Sequence, residues 1–117
     1  MAIVLAASPL VAGDTSRAGQ PLLSVRGADL SSALQEEAAG KTFRDGGATA
    51  QVEQLLAARG ANVMRLRVWV NPAAGGYDLT DALTLARRGH AAGMRIMVDL
   101  HYSDYWADKD NQTTPAA

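Results

Sequence analysis

The sequence predicts an α/β fold, the N-terminal portion of a TIM (β/α)8 barrel holding about three βα units. Three observations carry that expectation. From Leu22 onward, apolar runs of strand length alternate with helical patterns, the signature of parallel βα units. Gly60 and Gly93 each close a helical run and lie 33 residues apart, near the roughly 31 expected when ~250 residues are shared among eight units. A doubly wound dinucleotide fold is disfavoured, because Gly27-Ala28-Asp29, Asn71-Pro72 and His101-Tyr102-Ser103 all fail the G-x-G-x-x-G pattern that would follow a strand. No cofactor is implied.

The first strand is expected over residues 23–30, followed by a short irregular segment. Across residues 50–59, Val52, Leu55, Leu56 and Arg59 recur at helical spacing, and Gly60 supplies the left-handed residue that ends such a helix. A second strand is expected over residues 63–70. Asn71-Pro72 and Gly75-Gly76 then break the chain, and Asp78 is placed to cap a helix over residues 79–92 whose first turn also carries Asp81. That helix stops at Gly93, and residues 95–101 form the third strand.

Composition bounds the function. The 117 residues, 12.3 kDa, make one compact domain, and a chain that is 48% apolar and 20% charged is too apolar to be disordered. Eleven basic against twelve acidic residues give a net charge of −1, so there is no footprint for nucleic acid. The absence of cysteine excludes a disulfide scaffold and thiolate chemistry but leaves the compartment open. No apolar run reaches the ~18 residues of a membrane span, so no membrane partner is expected. Residues 1–21 read as a truncated or atypical signal segment running into a linker. Residues 1–12 are apolar and Val11-Ala12-Gly13 resembles a small-residue cleavage site, but no Lys or Arg precedes Arg17. A frayed tail is the alternative there. Residues 22–117 are the barrel portion.

The chemistry gathers at strand ends. In the second strand the two-residue period separates Met64, Leu66, Val68 and Val70 from Arg65, Arg67, Trp69 and Asn71. Two arginines on one face of a covered strand need carboxylates beside them or open water. The first strand offers Asp29, and the third offers Asp99 and His101 on one face. If the strands are neighbours in chain order, the arginines lie between Asp29 and Asp99, at the carboxyl ends where barrels place their sites. A structural ion-pair network inside the barrel remains the alternative for Arg67 and Asp99. As an acid–base pair the two aspartates are unsuited. Two strand spacings of ~4.8 Å separate them by roughly 10 Å, and the arginines would depress both pKa values.

Residues 101–108 add Tyr102, Tyr105, Trp106, Asp104 and Asp108, flat apolar faces plus acceptors that suit a sugar ring and its hydroxyls. Filling of the barrel mouth by Tyr102 and Trp106 is the alternative. A metal site from Asp99, His101 and Asp104 is disfavoured by the opposite parity of Asp104. His90 reads as a surface residue of its helix, and no G-x-S-x-G elbow supports acyl transfer.

Several runs together resemble glycoside hydrolase family 53, the endo-β-1,4-galactanases that cut the galactan side chains of pectin. They are Arg26-Gly-Ala-Asp-Leu-Ser-Ser32, Gly60-Ala-Asn-Val-Met-Arg-Leu-Arg-Val-Trp-Val-Asn-Pro72 and Gly76-Tyr-Asp-Leu79. Further matches are Ala91-Ala-Gly-Met94, Asp99-Leu-His-Tyr-Ser-Asp-Tyr-Trp-Ala-Asp108 and Gln112-Thr-Thr-Pro115. The stretch Lys41 to Gly47 is poorer in aromatics than the family pattern. The resemblance implies a (β/α)8 barrel and a retaining mechanism with two glutamates, an acid/base after strand four and a nucleophile on strand seven. It also implies an arginine on strand two near the nucleophile, Arg65 here with Arg67 as its neighbour, and a polysaccharide groove lined by His101 and Trp106.

Glu36, Glu37 and Glu53 all precede the second strand and cannot take the two glutamate roles. The expectation is therefore an inactive fragment of a secreted, extracellular galactanase, with Arg65, Arg67, Trp69, Asp99, His101 and Trp106 as substrate-binding or supporting residues and galactan or arabinogalactan as partner. Two alternatives from other classes are a catalytically inactive carbohydrate-binding domain using Trp69, Tyr105 and Trp106, and a purely structural α/β domain.

Overall fold

The computed structural model describes residues 23–73 and 75–115, so the signal or linker segment expected over residues 1–21 lies outside the described residues. In chain order the elements are β1 (Gly27–Asp29), α1 (Ala33–Ala38), β2 (Phe43–Asp45), β3 (Ala48–Ala50), α2 (Val52–Ala58), β4 (Val63–Val68), α3 (Leu79–Ala91) and β5 (Arg95–Leu100). Strands β1, β4 and β5 form a parallel sheet in that order, as expected of three strands that are neighbours along the chain. The register sets Asp29 beside Arg65 and Arg67 beside Asp99.

The first strand is shorter than expected. Residues 23–26 are tied to the α2–β4 turn mainly through side chains: Arg26 Nε donates to the Gly60 carbonyl, the Arg26 N–H donates to Asn62 Oδ1, and Asn62 Nδ2 donates to the Ser24 carbonyl, while the Arg26 carbonyl accepts the Asn62 and Val63 N–H groups just ahead of the ladder. At the start of the ladder a Cβ on Gly27 would run into the Val63 carbonyl, so only glycine lets β1 close on β4 there. The segment expected to be irregular holds α1 and the antiparallel β2–β3 hairpin. Strands of three residues and a helix of six, fewer than two turns, are too short for hydrophobic periodicity to register. The readable signal was Asp45-Gly46-Gly47, a hairpin turn whose two glycines have φ of +54° and +88°.

The two helix ends were placed correctly. Gly60 and Gly93 adopt φ of +91° and +81°, and the Asp78 side chain accepts the Asp81 N–H at the start of α3. Strand β4 stops two residues early because its next amides leave the ladder: Trp69 N–H donates to the Tyr77 carbonyl and Val70 N–H to the Ser103 carbonyl.

All three helices cover one face of the sheet. Met64 and Leu66 of β4 are fully enclosed against Leu85 of α3, with Leu30, Ala33 and Met94 completing the core and Val52 and Leu56 of α2 packed on it. Beneath that core, Arg88 of α3 spans Glu37 of α1 and Glu53 of α2, locking the three helices to one another. The other face of the sheet carries Asp29, Arg65, Arg67, Met97 and Asp99 and has no helix over it among the described residues. The strand-two parity argument therefore gave the correct sides: Met64 and Leu66 inward, the arginines outward.

Candidate functional site at the strand ends

The open face is organised by charge. Asp29 Oδ2 accepts from Arg65 Nη1 and from Arg67 Nη2, each at 2.8 Å, while Asp99 Oδ2 accepts from Arg65 Nη2 at 2.5 Å and lies 3.8 Å from Arg67 Nε. Two guanidiniums and two carboxylates thus interlock with no net charge, the geometry expected from adjacent parallel strands. Ser31 pins the cluster from below. Its N–H and hydroxyl donate to Asp29 Oδ1, a local turn that Asx residues make with the chain two positions on, and its oxygen accepts the Arg67 N–H. Burial raises the Asp29 carboxyl, but the Ser31 hydroxyl and N–H and the Arg67 and Arg65 charges outweigh it and hold Asp29 below its ordinary value. An ionised, doubly engaged Asp29 supports arginines and does not donate protons.

Above this layer stands an aromatic cluster. Trp69 stacks on Tyr77 at 4.7 Å and on His101 at 5.6 Å, and meets Trp106 edge-on at 6.4 Å. The Arg67 guanidinium, only 13% exposed, lies 4.3 Å from the centre of the Trp106 ring. That contact links the charged layer to the aromatic one. Trp106 is 53% exposed, so with one face on Arg67 it still offers area to a ligand. Trp69 is half-buried, and its indole N–H is enclosed without an acceptor among the described residues.

The β4 and β5 end loops are stitched together. Buried Ser103 accepts Val70 N–H at its carbonyl and Tyr105 N–H at its hydroxyl, and Asp104 Oδ1 accepts the Asn71 N–H. His101 Nε2 accepts the Ala107 N–H at 2.9 Å. Tyr77 and Tyr102 have φ of +60° and +49°, a region that non-glycine residues enter only when their surroundings impose it.

The six residues singled out from the sequence, Arg65, Arg67, Trp69, Asp99, His101 and Trp106, are brought together at one end of one sheet face. Of the rings of the alternative stacking platform, Tyr105 and Trp106 are exposed, whereas Trp69 is half-buried and packed between Tyr77 and His101. Sequence reasoning missed Tyr77, Ser31 and Ala107. The Asp29-Leu30-Ser31 spacing carried a readable turn signal for Ser31, but Tyr77 and Ala107 act through loop geometry that no period encodes. Among the described residues no group of three or more His, Asp or Glu is set to hold a metal, and no helix is long and apolar enough to cross a membrane. Asp104 serves instead as an acceptor for the β4–α3 loop. His90 is exposed on α3. The glutamates are paired with cations of the helix layer: Glu36 with Lys41, and Glu37 and Glu53 with Arg88.

Consecutive parallel strands, helices on one face and a polar cluster at the carboxyl ends define an α/β protein of the class that builds its sites on strand-end loops. The comparisons refine the class to a family. Residues 25–117 match the description of Glycosyl hydrolase family 53. A probable arabinogalactan endo-β-1,4-galactanase A of Aspergillus terreus is 54% identical over 95 residues, covering 80% of this chain and 27% of that protein. An arabinogalactan endo-β-1,4-galactanase of Thermothelomyces thermophilus is 48% identical over 95 residues, covering 80% and 29%. Among solved structures, a fungal β-1,4-galactanase superposes with a TM-score of 0.77 at 46% identity, over 80% of this chain and 29% of that one. The family 53 catalytic domain of Ignisphaera aggregans gives 0.73 at 34% identity, over 84% and 30%. The chain belongs to glycosyl hydrolase family 53. It spans about a quarter of the length of the curated relatives it matches.

Proposed function

We propose that these residues form the first βα units of a (β/α)8 barrel in a secreted endo-acting galactanase, one that hydrolyses β-1,4-galactosidic linkages of galactan or arabinogalactan with retention of configuration. In that reading Arg65 stands near the nucleophile, His101 and Trp106 line the groove, and Asp29 and Asp99 hold the arginines. The observation that carries it is the convergence of Arg65, Arg67, His101 and Trp106 at the carboxyl end of one sheet. Relatives bearing the galactanase name extend that convergence to a substrate class.

The acid/base and nucleophile glutamates belong to later strands of such a barrel. Glu36, Glu37 and Glu53 are engaged in the helix layer and are not available to a scissile bond. The 117-residue chain alone is therefore expected to release no reducing ends from galactan above a no-protein blank. A hybrid, in which residues 23–115 replace the matched segment of the Thermothelomyces thermophilus enzyme, is expected to hydrolyse galactan, and Arg65→Ala in it to lose most of that activity. An active lone chain, or a well-folded but inactive hybrid, overturns the reading.

A further inference from the structure

The Ala107 N–H points its hydrogen at His101 Nε2 across 2.9 Å. A ring nitrogen that accepts a hydrogen bond holds a lone pair and not a proton, so the neutral imidazole carries its hydrogen on Nδ1. The Trp69 and Trp106 rings lie against the imidazole at 5.6 Å and 5.7 Å and restrict its rotation. The loop that supplies Ala107 is itself fixed by Ser103 and by Asp104 on the β4 side. His101 and Ala107 both line a hollow of about 350 Å³, together with Tyr102 and residues 112–115. No partner for Nδ1 is found among the described residues.

From this geometry we infer that His101 is a fixed Nδ1–H donor to a hydroxyl oxygen of a neutral sugar, with Ala107 as the positioning residue that selects the tautomer. The inference rests on the strand-end cluster being a sugar site, and it assigns that site a polarity. A donor-only imidazole recognises an acceptor oxygen and takes no proton from the ligand. The apolar rings around it favour an uncharged sugar over an acidic one, and the neighbouring carboxylates, already held by Arg65 and Arg67, leave no free cation beside it among the described residues to attract an anion.

The test reads the tautomer directly. The full chain has two histidines, His90 and His101, so ¹⁵N-histidine labelling with His90→Gln isolates the second. The same measurement in the hybrid supplies a second host, with His101 assigned by its loss in His101→Asn. The expected spectrum shows a protonated Nδ1 and an unprotonated Nε2 at mildly alkaline pH. A proton on Nε2 in the folded hybrid, or in the lone chain where it shows a sharp thermal transition, overturns the inference, whether or not galactan binds.

Substitution gives an independent readout in the hybrid. The amide nitrogen of His101→Asn overlays Nδ1, and the amide oxygen of His101→Gln overlays Nε2. His101→Gln is expected to raise KM for galactan about three- to tenfold relative to His101→Asn, the effect of one neutral hydrogen bond. Equal or reversed values overturn the inference. Failure of the unsubstituted hybrid to bind galactan refutes the proposed function instead, and the tautomer spectrum still decides this point.

Discussion

Replacing Arg88 by methionine in the hybrid tests how the helix layer is held. Arg88 Nε and Nη2 donate to the two oxygens of Glu53 at 2.7 and 3.0 Å, and Nη1 and Nη2 donate to those of Glu37 at 2.9 and 2.7 Å. Glu53 is 0% exposed, so losing its partner leaves a buried carboxylate uncompensated. Removing one member of a buried pair costs about 3–5 kcal/mol. With a urea slope near ~3 kcal/mol/M the unfolding midpoint falls by about 1 M or more. The pH dependence has a definite sign. In the parent, the Arg88 hydrogen bonds hold Glu37 below its ordinary value, and Arg88 is itself raised by Glu37 and Glu53. The Glu37 contribution is present above the ordinary carboxylate value of ~4.3 and is lost as pH falls through the lowered one. In Arg88→Met that contribution is gone, so the variant's deficit is full above ~4.3 and shrinks as acid neutralises Glu37. Glu53→Gln/Arg88→Met is expected to recover part of the loss at neutral pH. A single variant within about 1 kcal/mol of the parent, or a deficit that does not change with pH, refutes the reasoning.

Gly27→Ala in the same hybrid is expected to lose about 1–3 kcal/mol, because the new methyl meets the Val63 backbone, which cannot rotate away; an unchanged urea midpoint would contradict this. Trp106→Ala removes a half-exposed ring, so it is expected to leave the melting temperature nearly unchanged while abolishing retardation in galactan affinity gels. Equal retardation of parent and variant counts against Trp106 as a sugar-stacking residue. The lone chain is expected to aggregate or stay molten: β1 and β5 have unpaired outer edges among the described residues, and Val98 and Leu100 are 57% and 55% exposed. Size-exclusion chromatography giving a monomer with a sharp thermal transition would refute that.

By itself the sequence determined whatever has a period or a local chemical signature. The alternation of Met64 and Leu66 with Arg65 and Arg67 set the two sides of β4, since successive strand residues face opposite ways. Asp78, Gly60 and Gly93 marked helix ends through capping and left-handed backbone, which are local requirements. Chain-order pairing then set Asp29 and Asp99 beside the arginines. The tertiary structure decided the rest. Helix α1 and the β2–β3 hairpin are too short to imprint a pattern, and their helix-layer role depends on Arg88 reaching across from α3. The strand ends were cut back because loop carbonyls from Tyr77 and Ser103 captured the Trp69 and Val70 amides, a competition between long-range partners that local sequence does not record. For the same reason the proton on His101 was invisible until the backbone of Ala107, six residues away, was seen to meet Nε2.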